Sequence, residues 1–431
     1  MKSRLHLFLL PALIAGLNII SAGWVSAQTF TTLHTFAGND GATPWASLIL
    51  SGNTLYGTTA GRGNGRGATV FAVNTDGTGF TNLYSFSATS TNSSGAYTNS
   101  DGDGPEAGLI LSGNTLYGTA AYGGSSGAGT VFAVNTDGTG FTNLHSFDGY
   151  PSDGYDPQAG LVLSGNTLYG TAGAVFAINT DGTGFTNLHS FSATSTNSSG
   201  TYTNSDGGGP VAGLILSGNT LYGTAAYGGR FGNGTVFAVN TDSTGFTNLH
   251  SFSATLDPYY TNSDGAGPVA GLILSGNTLY GTAAYGGSSG VGTVFAVNTD
   301  GTGFNTLHHL DGSWGVGGGG YPFAGLILSA NTLYGTTSDY WNDFLFGTVF
   351  SLSLAPPPPQ LRIAQSGANV ILSWPTNVAG FDYSGFTLQS TTNLGSPAVW
   401  STVSPGAVVF NGKNTVTNSI SGTRQFYRLS N

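Results

Sequence analysis

A six-bladed β-propeller with a small β-sandwich at its carboxy end is the all-β fold this sequence predicts, and three observations predict it. Glycine supplies 71 of the 431 residues; each glycine inside a helix costs about 1 kcal/mol, so helices cannot be the main element. Hydrophobic residues make up 39% and aromatics 12% of the chain, which is too apolar for disorder, and glycine does not recur at every third residue as collagen requires. Finally, Asn-Thr-Leu-Tyr-Gly occurs at 53–57, 114–118, 166–170, 219–223, 277–281 and 331–335, spaced by 61, 52, 53, 58 and 54 residues. Periods of that length point to propellers or repeat arrays.

At the amino end, Lys2 and Arg4 precede an apolar run from Leu5 to Ile20, and Val25-Ser26-Ala27 stands before Gln28. This is the pattern of a secretory signal peptide over 1–27, with cleavage after Ala27. A membrane anchor is the alternative. However, His6, Pro11 and Asn18 interrupt a run already short for a ~20-residue span. The remainder is expected to be a soluble extracellular or cell-surface protein, monomeric, with no membrane span.

Residues 28–354 carry the propeller. In the second repeat Gly108–Leu111 (strand A) passes through Ser112-Gly113-Asn114 into Thr115–Thr119 (strand B). A glycine-rich loop leads to Thr130–Val134 (strand C), and Asn135-Thr136-Asp137-Gly138-Thr139-Gly140 turns the chain into Phe141–Phe147 (strand D). Gly-Asn and Asp-Gly pairs favour such turns because they tolerate positive φ. A lone D-type strand, Thr29–Phe36, precedes the first A strand, whereas the sixth repeat stops after its C strand, Gly347–Phe350. Pairing the first strand with the last would close a ring of six four-stranded blades and remove its open edges.

The Leu-Tyr-Gly-Thr, Gly-Gly, Gly-Thr-Val-Phe and Leu-His-Ser-Phe segments, present over roughly 29–354, resemble the GloVer-type tandem repeats of secreted bacterial proteins. The resemblance implies an extracellular, propeller-like bacterial protein and brings no activity with it. The third copy departs from the pattern, since Thr167–Phe176 lacks the Tyr-Gly-Gly loop. Residues 355–360, Ala-Pro-Pro-Pro-Pro-Gln, read as a stiff linker. Residues 361–431 alternate in polarity around Trp374 and look like a short fibronectin type III-like sandwich.

Only 6% of residues are charged and the formal net charge is −10. With no basic tract, nucleic acid is excluded as a partner. The absence of cysteine excludes disulfides, thiolate zinc sites and cysteine nucleophiles.

The A–B and C–D turns are uniform, whereas D–A connections vary from 10 residues (37–46) to 21 (87–107 and 192–212). The D–A/B–C face is therefore the expected binding surface. Its candidate ligand residues are Tyr122, Tyr227 and Tyr285 beside Gly-Gly, with Trp314, Tyr340 and Trp341; Trp45 lies in the same loops. Aromatic planes on an uncharged, Asn/Ser/Gly-rich face suit sugar rings, so a polysaccharide or cell-surface glycan is the expected partner. Loops that merely bridge strands are the plainer alternative.

Asn99, Asp101 and Asp103, followed by Gly104, have the spacing that opens a calcium loop, but Ile110 stands at position 12. An Asx-rich turn is the simpler reading, and no other cofactor is indicated. His34, His145, His189, His250 and His308 occupy equivalent D-strand positions. Symmetry spreads such residues apart, so packing or hydrogen-bonding roles are expected. Glycoside hydrolysis needs two nearby carboxyl groups. Glu106 is the only glutamate and no unrepeated acidic pair stands out, so the chain reads as non-catalytic. Under the alternative, a glycoside hydrolase or lyase, Asp153, Asp156, Asp339 or Asp343 would meet another carboxylate in the central mouth.

Overall fold

A computed structural model describes residues 30–61, 67–312, 319–338, 347–354, 359–378, 381–383, 385–394, 398–419 and 424–430. Every regular element among them is a strand. Five four-stranded antiparallel sheets in the order A-B-C-D, and a sixth, three-stranded sheet in the order A-B-C, follow one another along the chain. In the second repeat the strands are Ile110–Ser112, Thr115–Ala120, Thr130–Asn135 and Thr142–Ser146.

Local chemistry accounts for this meander. The C–D turn is held by Asp137 Oδ1, which accepts the Thr139 N–H at 2.9 Å and the Thr139 hydroxyl at 2.7 Å. Gly118 in the B strand makes room for its cross-strand neighbour, since an added Cβ would lie 2.6 Å from Phe132 Cζ. The Tyr-Gly pair of the repeat is thus a packing requirement, met in the same way at Gly57, Gly170, Gly223 and Gly281.

The apolar core lies between sheets. Five clusters each unite consecutive repeats; one joins Tyr117, Val131 and Phe147 of the second to Leu168, Phe176 and Ile178 of the third, and the others repeat the arrangement. A buried B-strand threonine bonds each sheet to the next, from Thr58, Thr119, Thr171 and Thr224 to the carbonyls of Ala107, Ala159, Ala212 and Ala270 at 3.0–3.2 Å. The glycines that open the A strands crowd together. A Cβ on Gly160 would meet Gly108 O at 3.4 Å, and one on Gly271 would meet Gly213 O at the same distance. The A strands thus form the tightly packed side of the array.

Among the described residues the expected ring-closing ladder is not formed. Residues 30–36 make no strand, and the sixth sheet consists of Ile327–Ser329, Thr332–Ser338 and Gly347–Ser353 alone. Val349 is 82% exposed, whereas its counterpart Val131 is fully buried. The amino-terminal segment instead packs on the first sheet: His34 stacks on Phe80 with centroids 3.4 Å apart, as His145 stacks on Phe185. It occupies the place of a preceding D strand without a C strand to pair with.

Two D–A connections contain small hairpins, Ser90–Thr91 with Tyr97–Thr98 and Ser195–Thr196 with Tyr202–Thr203. At the carboxy end a four-stranded and a three-stranded sheet share a core of Leu372, Trp374, Tyr383, Leu388, Val403 and Val416.

Candidate functional site

Hydrogen bonds sort the loops into two faces. Thr136 N donates to Asn114 O at 2.8 Å, tying the C–D turn to the A–B turn, and Thr75, Thr180, Thr241 and Thr299 do the same in their repeats. On the opposite face the B–C and D–A loops pair: Asp103 and Tyr122 exchange backbone bonds of 2.8 and 2.9 Å, and Gly208 with Tyr227 and Ala266 with Tyr285 follow suit.

That pairing sets the tyrosines. Each lies over the glycine preceding the D–A proline, and a methyl on Gly104 or Gly267 would come 2.8 Å from the Tyr122 or Tyr285 ring. These glycines have φ of 66° and 63°, a left-handed conformation that an L side chain resists. The rings are therefore supported from beneath yet 44–47% exposed, Tyr227 included. Trp45 is also exposed. Trp314, Tyr340, Trp341, Asp339 and Asp343 lie outside the described residues.

Other members of the row escape a reading of the B–C loops alone. In the third repeat, where that loop is short, Tyr155 from the D–A connection covers Gly173, and burial together with the neighbouring Tyr155 raises the Tyr227 phenol. In the sixth, Tyr321 lies 5.7 Å from Tyr285, centroid to centroid. Their signal is alignment on the D–A prolines, which places Tyr155 two residues before Pro157 and Tyr321 one before Pro322.

The same alignment explains an acidic pair that the sequence did not bring out. Glu106 follows Pro105 in the second repeat and Asp156 precedes Pro157 in the third, so neighbouring sheets present them together. Burial pushes both carboxyl groups above their ordinary range, and the nearby charge of Asp156 adds to the effect on Glu106. Gln158 Nε2 donates to Asp156 Oδ2 at 3.1 Å, which opposes the rise. Burial, then Glu106 and Asp156, raise the Tyr122 phenol, and Gln158 opposes the rise. Asp153 is engaged elsewhere, 2.8 Å from His145 Nε2.

The D-strand histidines serve packing and hydrogen bonding. His189 Nε2 and His250 Nε2 lie 3.0 and 2.9 Å from Asp206 and Asp264, and both rings stack on a phenylalanine of the next repeat. Tyr84 does the same, donating to Asp101 at 2.8 Å. Burial lowers the His189 pKa against the pull of Asp206. For Asp264 burial acts upward, but donors from His250 and Ser253 outweigh it and leave the carboxyl low.

Calcium does not fit the residues proposed for it. Asn99 Oδ1 accepts the N–H groups of Gly102 and Gly124, and Asp101 Oδ2 accepts Tyr84 and both Ser87 donors. Asp103 Oδ1 takes the Gly104 N–H. Asp101 Oδ1 is the one buried carboxylate oxygen there without a hydrogen-bond partner, whereas calcium takes about six to eight oxygens. No group of three or more His, Cys, Asp or Glu side chains suited to a metal occurs among the described residues.

The Gloeobacter/Verrucomicrobia repeat family matches residues 22–172 and 199–394. No curated protein matches the chain. Among solved structures it is similar to a provisionally named 6-phosphogluconolactonase of Bacteroides uniformis, with 14% identity, 87% of this chain and 88% of that one covered, and a TM-score of 0.41. An oligogalacturonate lyase in complex with manganese shares 11% identity over 70% of this chain and 74% of its own, at a TM-score of 0.40. A Bacteroides thetaiotaomicron protein of unknown function shares 12% over 68% and 66%, at 0.37.

Proposed function

The chain belongs to the Gloeobacter/Verrucomicrobia repeat family, and we propose on that footing that it is a secreted or cell-surface bacterial protein that binds glycans without catalysis. The observation that carries the reading is the row of half-exposed tyrosines, Tyr122, Tyr227 and Tyr285, held at equivalent positions of one loop face. Rings fixed over glycine keep their faces available at little entropic cost, which suits stacking on the apolar face of a sugar. Affinity electrophoresis against soluble polysaccharides tests it. The protein is retarded by at least one, and changing Tyr122, Tyr227 and Tyr285 together to Ala abolishes the retardation; retention of binding by that triple variant rejects the face. Sequencing the amino terminus of exported protein checks cleavage after Ala27.

In this reading the six sheets are blades of a propeller, with residues 29–36 supplying the outer strand of the sixth, and the carboxy-terminal sheets form a fibronectin type III-like module. Support comes from the placement of Leu33 against Gly77, which matches that of Leu83 against Gly138.

A second reading, a carbohydrate-active enzyme, is favoured by one observation: Glu106 and Asp156 share a desolvated corner beside Tyr122. It requires reducing sugar to be released from some polysaccharide and lost in both Glu106→Gln and Asp156→Asn. Release that survives either change rejects it.

A further inference from the structure

A cavity of about 880 Å³ opens on the loop face between the fourth, fifth and sixth repeats, near the upper end of the ~300–1,000 Å³ usual for ligand pockets. Tyr259, Tyr260, Tyr285 and Tyr321 line it, and among the described residues Asp311 is the one acidic or basic side chain along it. Two of these tyrosines come from the 253–269 connection, whose Asp-Pro-Tyr-Tyr segment has no counterpart in the other repeats. The segment is seated on the B–C loop of the fifth repeat: any side chain at Gly290 would collide with Tyr259 O, and Gly290 has φ of 78°. The outer wall is thus braced although the Tyr259 side chain is 76% exposed.

The construction recurs one repeat earlier. Tyr202 and Tyr227 line a second cavity of about 520 Å³, and Gly232 gives Tyr202 O the close approach that Gly290 gives Tyr259 O. Each cavity therefore faces an outer-loop tyrosine with a B–C-loop tyrosine. Two like pockets on successive repeats match a ligand that itself repeats, because linked sites engage a polymer with a raised effective concentration.

We propose that the larger cavity is the primary binding cleft for an uncharged polysaccharide segment, and that the Tyr202–Tyr227 cavity holds a further part of the same chain. The inference rests on the glycan-binding reading above. Neutral sugars fit because the lining offers mainly aromatic carbon, phenolic hydroxyls and glycine backbone, with Asp311 as its one charged side chain among the described residues. With a net charge of −10 the protein also repels acidic polymers.

Titration calorimetry of the whole secreted chain with mixed-linkage β-glucan, galactomannan and xylan, and with polygalacturonate as the charged comparison, tests the assignment. At least one neutral polymer is expected to bind, and Tyr259→Ala and Tyr285→Ala each to weaken it tenfold or more. Tyr150→Ala, on an exposed loop outside the cleft, changes affinity less than twofold, and Tyr202→Ala costs the polymer more than a hexasaccharide of it. Thermal melts of all variants show whether the loops are held; Tyr259→Phe, which keeps the ring, retains binding within about threefold. Neutral binding that persists in Tyr259→Ala and Tyr285→Ala overturns the cleft but leaves the glycan reading standing. Binding to none of the polymers overturns both, and binding to polygalacturonate alone overturns the uncharged assignment.

Discussion

Gly223 shows how a single position sets the sheet. Its Cβ would fall 2.6 Å from Phe237 Cζ and 2.8 Å from Leu214 Cδ2, so Gly223→Ala forces a ring or strand to shift. Overpacking of this kind costs about 1–3 kcal/mol, which urea denaturation reads as a lowered midpoint. Asp206 is a second such position: its Oδ2 accepts Ser192 N and Oγ and stands 3.0 Å from His189 Nε2. Asp206→Ala takes a buried acceptor away from Ser192 and His189 and should cost about 1–3 kcal/mol by the same measurement. Charge at Glu106 acts in the opposite sense. Its raised carboxyl takes up a proton more readily folded than unfolded, so stability is gained as pH falls from above the raised value towards the ordinary one near ~4.3. Glu106→Gln is therefore expected to melt higher than the parent at pH 7 and level with it near pH ~4; a gap that widens on acidification rejects the argument. The exposed aspartates of the C–D turns run the other way. Hydroxyl and N–H donors from Thr78 and Thr139 hold Asp76 and Asp137 low, so their contribution is present above the ordinary aspartate range and lost as pH falls through the depressed values.

Individual segments behave according to what covers them. The amino-terminal stretch makes no ladder, yet Phe36 packs edge-on to Phe71 at 5.2 Å and His34 stacks on Phe80. Removing residues 28–36 uncovers that aromatic cluster. Loss of the partly buried Phe36 and Leu33 is worth ~2 kcal/mol, and hydrogen exchange should quicken selectively over 68–85. The third repeat makes a related point. Its shortened loop reads as a missing tyrosine, but Tyr155 arrives from the other loop over Gly173. Strand order, both tight turns and the histidine positions were legible because each depends on residues within one repeat, such as Asp137 beside Thr139. The Glu106–Asp156 pair was not, because its members stand 50 residues apart and on opposite sides of different prolines.

Over the whole molecule, closure of the ring depends on the amino-terminal segment pairing with the sixth sheet. Thr69, Thr130 and Thr235 face Ser85, Ser146 and Ser251 across their C–D ladders; the same register would set Thr348 opposite Thr35. The chain has no cysteine, so Thr35→Cys with Thr348→Cys gives a clean test. Oxidation of a closed ring yields an intramolecular crosslink, whereas no crosslink, or dimers only, rejects closure. Sequence alone determined the all-β class, the six-fold repetition and the division into a uniform and a variable loop face, because glycine placement, turn chemistry and apolar runs act over a few residues at a time. Tertiary structure decided what those repeats bring together: the corner holding Glu106, Asp156 and Tyr122, the tyrosine-lined cavity, and the unpaired sixth sheet. Those depend on how sheet packs against sheet, which is set by side-chain volumes across an interface and written in no single repeat.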